Sequence, residues 1–221
     1  ATRLTRLIPT LKDLAKAKAK IVILSHLGRP DGKRNEKYSL KPVAVALEKI
    51  WGRPIAFAND CIGKVAADAV KALPAGDILV LENTRFYAQE EKNDPEFCKQ
   101  LAALGDVYVN DGFSVSHRAH ASTEGIAKLL PNAAGRLMQA ELEALEKALG
   151  NPAHPVAALV GGSKISTKID LLQNLVAKVD VLVLGGGMAN TFLAAQGVKV
   201  GKSLHEPDML DQARAIAKKA E

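Results

Sequence analysis

The chain is poor in aromatic residues and nearly free of cysteine. Phe, Trp and Tyr together make up 4% of its 221 residues, and there are two cysteines. So few rings leave no aromatic interleaving among the Lys and Arg residues, the pattern that stacking on nucleic-acid bases requires. Cys61 and Cys98 stand in no metal-ligand spacing and read as reduced, structural thiols of a cytoplasmic protein. No apolar run approaches the ~20 residues of a membrane span. The opening residues, ATRLTRLIPT, lack the apolar stretch of an export signal. Neither a Walker A pattern nor a GxGxxG fingerprint occurs. No two-carboxylate pair or metal-ligand cluster stands out, and neither Ser163 nor Ser166 has a His nearby in sequence to activate it.

What is present is an ordinary globular balance, 48% hydrophobic and 24% charged, with a net charge of +6. Ala, Val and Leu dominate the apolar set, which suits parallel strands covered by helices better than an antiparallel sandwich. The basic balance points to anionic partners. Small anionic substrates are one class. A non-catalytic phosphate- or nucleic-acid-binding protein is the other, and it would show salt-sensitive binding to nucleic acid.

The rhythm along the chain is strand then helix. Leu4, Leu7, Ile8, Leu11 and Leu14 have helical spacing over residues 3–19. Strands are expected at 20–24, 54–58, 78–81 and 107–109, the last a buried one. Ser39 reads as the N-cap of a helix that buries Val43, Leu47 and Ile50 and stops at Gly52. Residues 62–73 form the next helix. Asp94-Pro95 opens a helix to Leu104. Residues 135–149 read as a long periodic helix with Leu137, Leu142, Leu145 and Leu149 inward, ended at Gly150-Asn151-Pro152, the expected domain boundary. The rhythm then restarts, with strands at 156–160 and 181–184 and helices at 166–176, 189–195 and 207–220. Repeated βα units argue for parallel sheets with right-handed crossovers. Two strands and three helices would leave the second sheet with an exposed apolar edge. The chain also stops in mid-pattern, so a fragment is expected.

Three strand ends feed loops that carry cations: His26 and Arg29, then Arg85, then His117 and Arg118 within HRAH. In a parallel sheet these loops share one edge, where open α/β sheets bind ligands. Arg is suited to planar, multi-oxygen anions. Beyond residue 150, Gly161-Gly162 and Gly185-Gly186-Gly187 each follow a strand and precede a helix, the arrangement that lets backbone N–H groups approach a phosphate. Lys164 and Lys168, four apart in the expected helix start, would share a face there. Cations at a helix N-terminus oppose its dipole unless an anion intervenes. Cations and glycines without a nucleophile fit direct phosphoryl transfer.

SHLGRP (25–30), LENTRF (81–86), HRAHAS (117–122), GGSKISTK (161–168) and GGGMANTF (185–192) occur in the order and at the separations found in phosphoglycerate kinases, and the whole chain resembles that family. The resemblance implies two Rossmann-like parallel-sheet α/β domains. These would be an N-terminal domain over 1–134, an interdomain helix over 135–150, and an incomplete C-terminal domain over 151–221. It implies reversible phosphoryl transfer from 1,3-bisphosphoglycerate to ADP, giving 3-phosphoglycerate and ATP, with the ligands on two domains and Mg2+ carried by the nucleotide. Arg3, His26, Leu27, Gly28, Arg29, Arg85, His117 and Arg118 would bind the glycerate ligand. Arg3, matched to the arginine ahead of the family's LPT segment, would also act with Lys164 and Lys168 on the phosphoryl group in flight. Gly162, Ser163, Lys164, Lys168 and Gly186 would hold the nucleotide. A cytoplasmic monomer without membrane or nucleic-acid partners and without a protein-held metal is implied. The family's first strand, with its RVDxNVP-like motif, would precede Ala1, and its GGGD loop and ribose-binding acid would follow Glu221. These 221 residues would then be inactive alone. Ser114 stands where many members have Gly.

Overall fold

The computed structural model describes residues 2–150 and 152–220; Ala1, Glu221 and Asn151, which the sequence reading puts at the expected domain boundary, lie outside them. The chain forms two compact units, Ala1–Leu142 and Glu143–Glu221. Every strand pairing is parallel, the α/β architecture that the βα rhythm predicts.

In the first unit, α1 (Thr2–Lys16) leads to β1 (Ile21–Ile23), α2 (Lys41–Trp51), β2 (Ala56–Ala58), α3 (Gly63–Ala72) and β3 (Ile78–Leu81). Then come α4 (Ala88–Glu91), α5 (Pro95–Ala102), β4 (Tyr108–Asn110), β5 (Asn132–Ala134) and α6 (Arg136–Leu145), whose last three residues belong to the second unit. The sheet order is β1-β3-β2, with β3 central and all four of its residues buried. Side chains alternate across a strand. Ile78 and Val80 join Leu11, Ile21, Leu40, Ala44 and Leu47 on one face. Leu79 and Leu81 join Ala58, Ala66, Phe97 and Leu101 on the other. A strand buried on both faces reads as an unbroken apolar run, which is why ILVL was legible. Leu79→Ala is expected to cost about 2–5 kcal/mol of stability. Urea unfolding should show a lower midpoint at an unchanged m-value, and a shift below half of that range would place Leu79 outside the tightly packed core.

Several local expectations are corrected. The residue preceding α2 in cap position is Leu40, not Ser39, and it makes no side-chain cap bond. The Ser39 hydroxyl is drawn instead to the buried Glu82 carboxylate at 2.7 Å, which also accepts from the N–H groups of Leu40 and Asn83. Ile50 is exposed, and Ala44 takes its place beside Leu47. The strand read as buried at 107–109 is half-buried at 108–110, with Val107 59% exposed. It pairs with β5 in a ladder of its own, so the three cation-bearing strand ends do not belong to one hydrogen-bonded sheet. Of the periodic leucines at 135–149, Leu142, Leu145 and Leu149 are exposed, and Met138 is the buried residue of α6. Helical periodicity gives a stripe but not its cover. The helix also ends at Leu145, giving way to a π-type turn over Glu146–Gly150.

The second unit contains β6 (Ala157–Gly161), α7 (Ile169–Val176), β7 (Val181–Gly185), α8 (Gly186–Ala195) and α9 (Leu210–Lys219). The last helix opens with a 3-10 turn over Pro207–Met209 rather than as one helix from 207. Ile165, Leu172, Met188, Ala195, Ala213 and Ile216 form its core, with Val160, Leu182 and Leu184 packed against them from one sheet face. The opposite face is bare: Leu159 is 78% exposed, and Val181 and Val183 are exposed beside it. Uncovered apolar surface was expected at an edge, and it lies on a whole face. Two further starts move. The helix expected from Ser166 begins at Ile169, and the one expected from Ala189 begins at Gly186.

Candidate functional site

Two groups of chemistry-bearing residues result, one in each unit. In the first unit, β1 and β3 are neighbours in register, Ile21 with Ile78 through Ile23 with Val80, so the loops that leave them run side by side. Cross-loop bonds lock them together. Thr84 N–H donates to the Ser25 carbonyl at 3.1 Å. The Asn83 amide donates to the carbonyls of Leu27 and Tyr38 at 2.8 and 2.9 Å. Gly28 has φ +67°, and a Cβ there would fall 2.4 Å from the Tyr38 ring, so the SHLGRP loop needs glycine at this place.

Arg85 is the centre of this group. Its guanidinium is buried, donates from Nη1 to the Gly28 carbonyl at 3.1 Å, and faces Glu91 at 3.3 Å. Its Nε is the one buried side-chain polar atom without a partner among the described residues. A buried donor left open costs roughly 1–3 kcal/mol. His26 lies in the same field, its pKa pushed down to about 4 by burial first and then by Arg85, Arg118 and His120, with Glu91 opposing. His120 is lowered too, by burial and then by Arg85. Three loops thus bring His26, Arg85, Arg118 and His120 together, with Glu91 and the buried Glu90 as the acids in their field. His117 is exposed and enters through its effect on His120. Leu27 and Arg29 are exposed on the first loop, and Arg3 is exposed in the first turn of α1. No contact draws Arg3 or Arg29 into the cluster among the described residues. Such an arrangement can hold a small, multiply charged anion and exclude a cation.

The HRAH loop is anchored from behind. The buried Glu90 carboxylate accepts from the Ser122 N–H at 3.1 Å and from its hydroxyl at 2.5 Å. Burial raises the Glu90 pKa, and the Ser122 bonds oppose the rise. Sequence reading passed over Glu90 and Glu91 because nothing in AQEEK distinguishes a loop anchor from a solvated helix.

In the second unit, β6 and β7 pair in register to their last residues, Gly161 with Gly185, which sets the two glycine turns side by side. The Met188 N–H donates to the Gly162 carbonyl at 3.0 Å. Gly186 has φ +69°, and a Cβ there would lie 2.8 Å from the Gly162 oxygen, so only glycine permits this approach. The Lys168 side chain runs over the same turn, its Cε 3.3 Å from where a Gly162 Cβ would stand. Lys164 and Lys168 do not share a helical face. Lys168 is the N-cap of α7 and Lys164 lies in the turn before it. Lys168, at φ −137° and ψ 12°, is not helical, so α7 starts after it, and the Glu206 carboxylate takes the N–H groups of Ile165 and Ser166 in the preceding turn. Lys168 still sits at a helix N-terminus, where its charge opposes the dipole unless an anion joins it. Among the described residues no group of three or more His, Cys, Asp or Glu is placed to hold a metal ion, and no helix is long and apolar enough to cross a membrane.

Comparison with known proteins agrees with the motif order. The family model described as phosphoglycerate kinase matches residues 1–221. A phosphoglycerate kinase of Rhodospirillum centenum is 67% identical over 219 residues, covering 99% of this chain and 55% of that protein. One from Bradyrhizobium diazoefficiens is 63% identical over 221 residues, covering 100% of this chain and 55% of its own length. Among solved structures, phosphoglycerate kinase from Coxiella burnetii aligns with a TM-score of 0.87 at 45% identity, over 99% of this chain and 55% of that one. That from Pyrococcus horikoshii aligns at 0.82 and 31%, over 98% and 57%. The chain therefore spans about half the length of the relatives it matches. On its sequence throughout and on its fold, this chain belongs to the phosphoglycerate kinase family.

Proposed function

We propose that the protein carrying this chain transfers a phosphoryl group between 1,3-bisphosphoglycerate and Mg-ADP, yielding 3-phosphoglycerate and Mg-ATP, and the reverse. The observation that carries the reading is the buried, partly unsatisfied Arg85 among His26, Arg118 and His120. In this reading Arg85, Arg118, His26, Arg29 and His117 take the charged ends of the glycerate ligand, and Leu27 and Gly28 shape the loop around it. Arg3 neutralises the phosphoryl group as it moves. Lys164 and Lys168 take nucleotide phosphates, and Gly162, Ser163 and Gly186 line the nucleotide turn. Phosphoryl transfer proceeds through a loose transition state and relies on positioning and charge, which is what these residue types supply. We assign the glycerate side to residues 1–134, the connecting helix to 135–150 and the start of the nucleotide side to 151–221. Both cysteines are free and buried, which suits a monomer working in the reducing cytoplasm.

The complete protein, given Mg-ADP and 1,3-bisphosphoglycerate, should form ATP and 3-phosphoglycerate in equal amounts. No ATP, together with salt-sensitive binding to duplex DNA in a gel shift, would instead favour a phosphate-binding module.

A proton-linked prediction follows from His26. Without ligand its pKa is near 4, so it is neutral at pH 5.5. A bound anion offsets the arginine charges, raises that pKa and favours protonation. Calorimetry at pH 5.5 in buffers of different ionisation heat should show more protons taken up with 3-phosphoglycerate by the unsubstituted protein than by His26→Gln. Equal uptake would remove His26 from the ligand's field.

A further inference from the structure

We propose that Glu206 is a positioning residue for the nucleotide site, holding the Lys164–Lys168 turn against the glycine turn at the start of α8; this rests on the nucleotide reading above. Glu206 lies forty residues beyond that turn and just before the 3-10 turn Pro207–Met209. Its Oε2 accepts from the Ile165 N–H at 2.5 Å and the Ser166 N–H at 3.1 Å, and its Oε1 accepts from the Ser166 hydroxyl at 2.6 Å. Bonds to an ionised acceptor are roughly twice as strong as neutral ones. Those from Ser166 and Ile165 hold the Glu206 pKa below the usual carboxylate range, so the acceptor is charged at neutral pH.

The clamped pair sits between the two lysines. Lys164 enters it directly, and the Lys168 N–H closes the turn on the Ile165 carbonyl at 2.8 Å. Ile165 is fully buried, which pins one side of the turn to the core of this unit. Glu206 is itself tied to α8. Its N–H donates to the Thr191 hydroxyl at 3.0 Å, and that hydroxyl donates to the Gly187 carbonyl at 3.3 Å. The Asn190 amide donates to the Leu204 carbonyl at 3.0 Å, steadying the same approach. One residue therefore joins the two: the Glu206 side chain holds the lysine turn, and its backbone N–H reaches α8 through the Thr191 hydroxyl. Lys is a point charge on a flexible stem. Its usefulness to a phosphate depends on where the backbone beneath it is fixed, and a misplacement of about 1 Å can cost on the order of a hundredfold in rate.

The test uses the complete protein with Glu206→Ala, Glu206→Gln and Ser166→Ala. Mg-ADP binding is measured by calorimetry without a second substrate, alongside KM and kcat for both substrates. Glu206→Ala should weaken Mg-ADP about tenfold and leave the KM for the glycerate substrate within about twofold. Glu206→Gln, whose neutral amide oxygen can still accept both N–H groups with bonds roughly half as strong, should recover about half of the loss. Ser166→Ala, which removes one bond and keeps the rest, should show a smaller loss in the same direction and stands in if Glu206→Ala does not fold. Unchanged Mg-ADP affinity in Glu206→Ala would overturn the inference. So would equal weakening of both substrates with a lowered melting temperature, since Glu206 would then be structural only. Failure of the unsubstituted protein to bind Mg-ADP would overturn the nucleotide reading itself, and this inference with it.

Discussion

Arg85→Met is expected to weaken 3-phosphoglycerate binding by at least about a hundredfold, which is roughly 2.7 kcal/mol. The guanidinium is buried, its Nε has no protein partner, and Glu91 satisfies only part of its charge. A charge-assisted hydrogen bond contributes about 1.5–3 kcal/mol net, and a guanidinium can offer a ligand two in parallel. Arg85→Lys restores the charge without the planar fork and should recover part of the affinity, remaining about tenfold weak. Mg-ADP affinity is the internal control and should not move, because every contact Arg85 makes lies within the first unit. Calorimetric titration of each ligand, with melting temperature followed in parallel, checks this. A glycerate affinity within threefold of the unsubstituted protein in Arg85→Met would remove the cationic cluster as the ligand site.

Lys168→Met should lower kcat by about 10²–10³, the size seen when one donor that stabilises transition-state charge is removed. Met keeps most of the stem that lies over Gly162 and removes the ammonium, so packing is disturbed little. The same change should stabilise the protein slightly, by about 0.3–1 kcal/mol, because a cation is taken from the N-terminus of α7. Activity and stability moving in opposite directions is the signature to look for, by steady-state kinetics beside urea unfolding. A kcat within fivefold, or a loss of stability to match the loss of rate, would show that Lys168 serves the fold and not the reaction.

Much of the fold was readable because single elements carry their own signals. ILVL at 78–81 is apolar throughout since β3 is buried on both faces. Asp94 caps α5 through the Phe97 N–H at 3.0 Å, with Pro95 in the first turn, as the dipeptide indicates. Signals fell short where a distant group meets the same residues. Ser39 reads as the N-cap of α2, yet Leu40 holds that position; the Ser39 hydroxyl accepts from the Lys41 N–H at 3.2 Å while donating to Glu82, 43 residues away. Ser166 reads as helical, yet it lies in the turn before α7, where its hydroxyl donates to Glu206, 40 residues away. Neither distant carboxylate leaves a trace in the local pattern.

The candidate site divides along the same line. Residue type and order along the chain picked out cationic loops at strand ends, two glycine turns, a lysine pair and the family, because those signals are short-range and chemical. Tertiary structure alone decided that Arg85 is buried with an open Nε and that His120 and Glu91 belong to its surroundings. It also set the two lysines on a clamped turn rather than a helix face. The HRAH loop shows why. Its four residues announce positive charge, but whether that charge meets an anion or water depends on burial and on neighbours from Ser25 to Ser122. Chain folding sets both, and residue order does not.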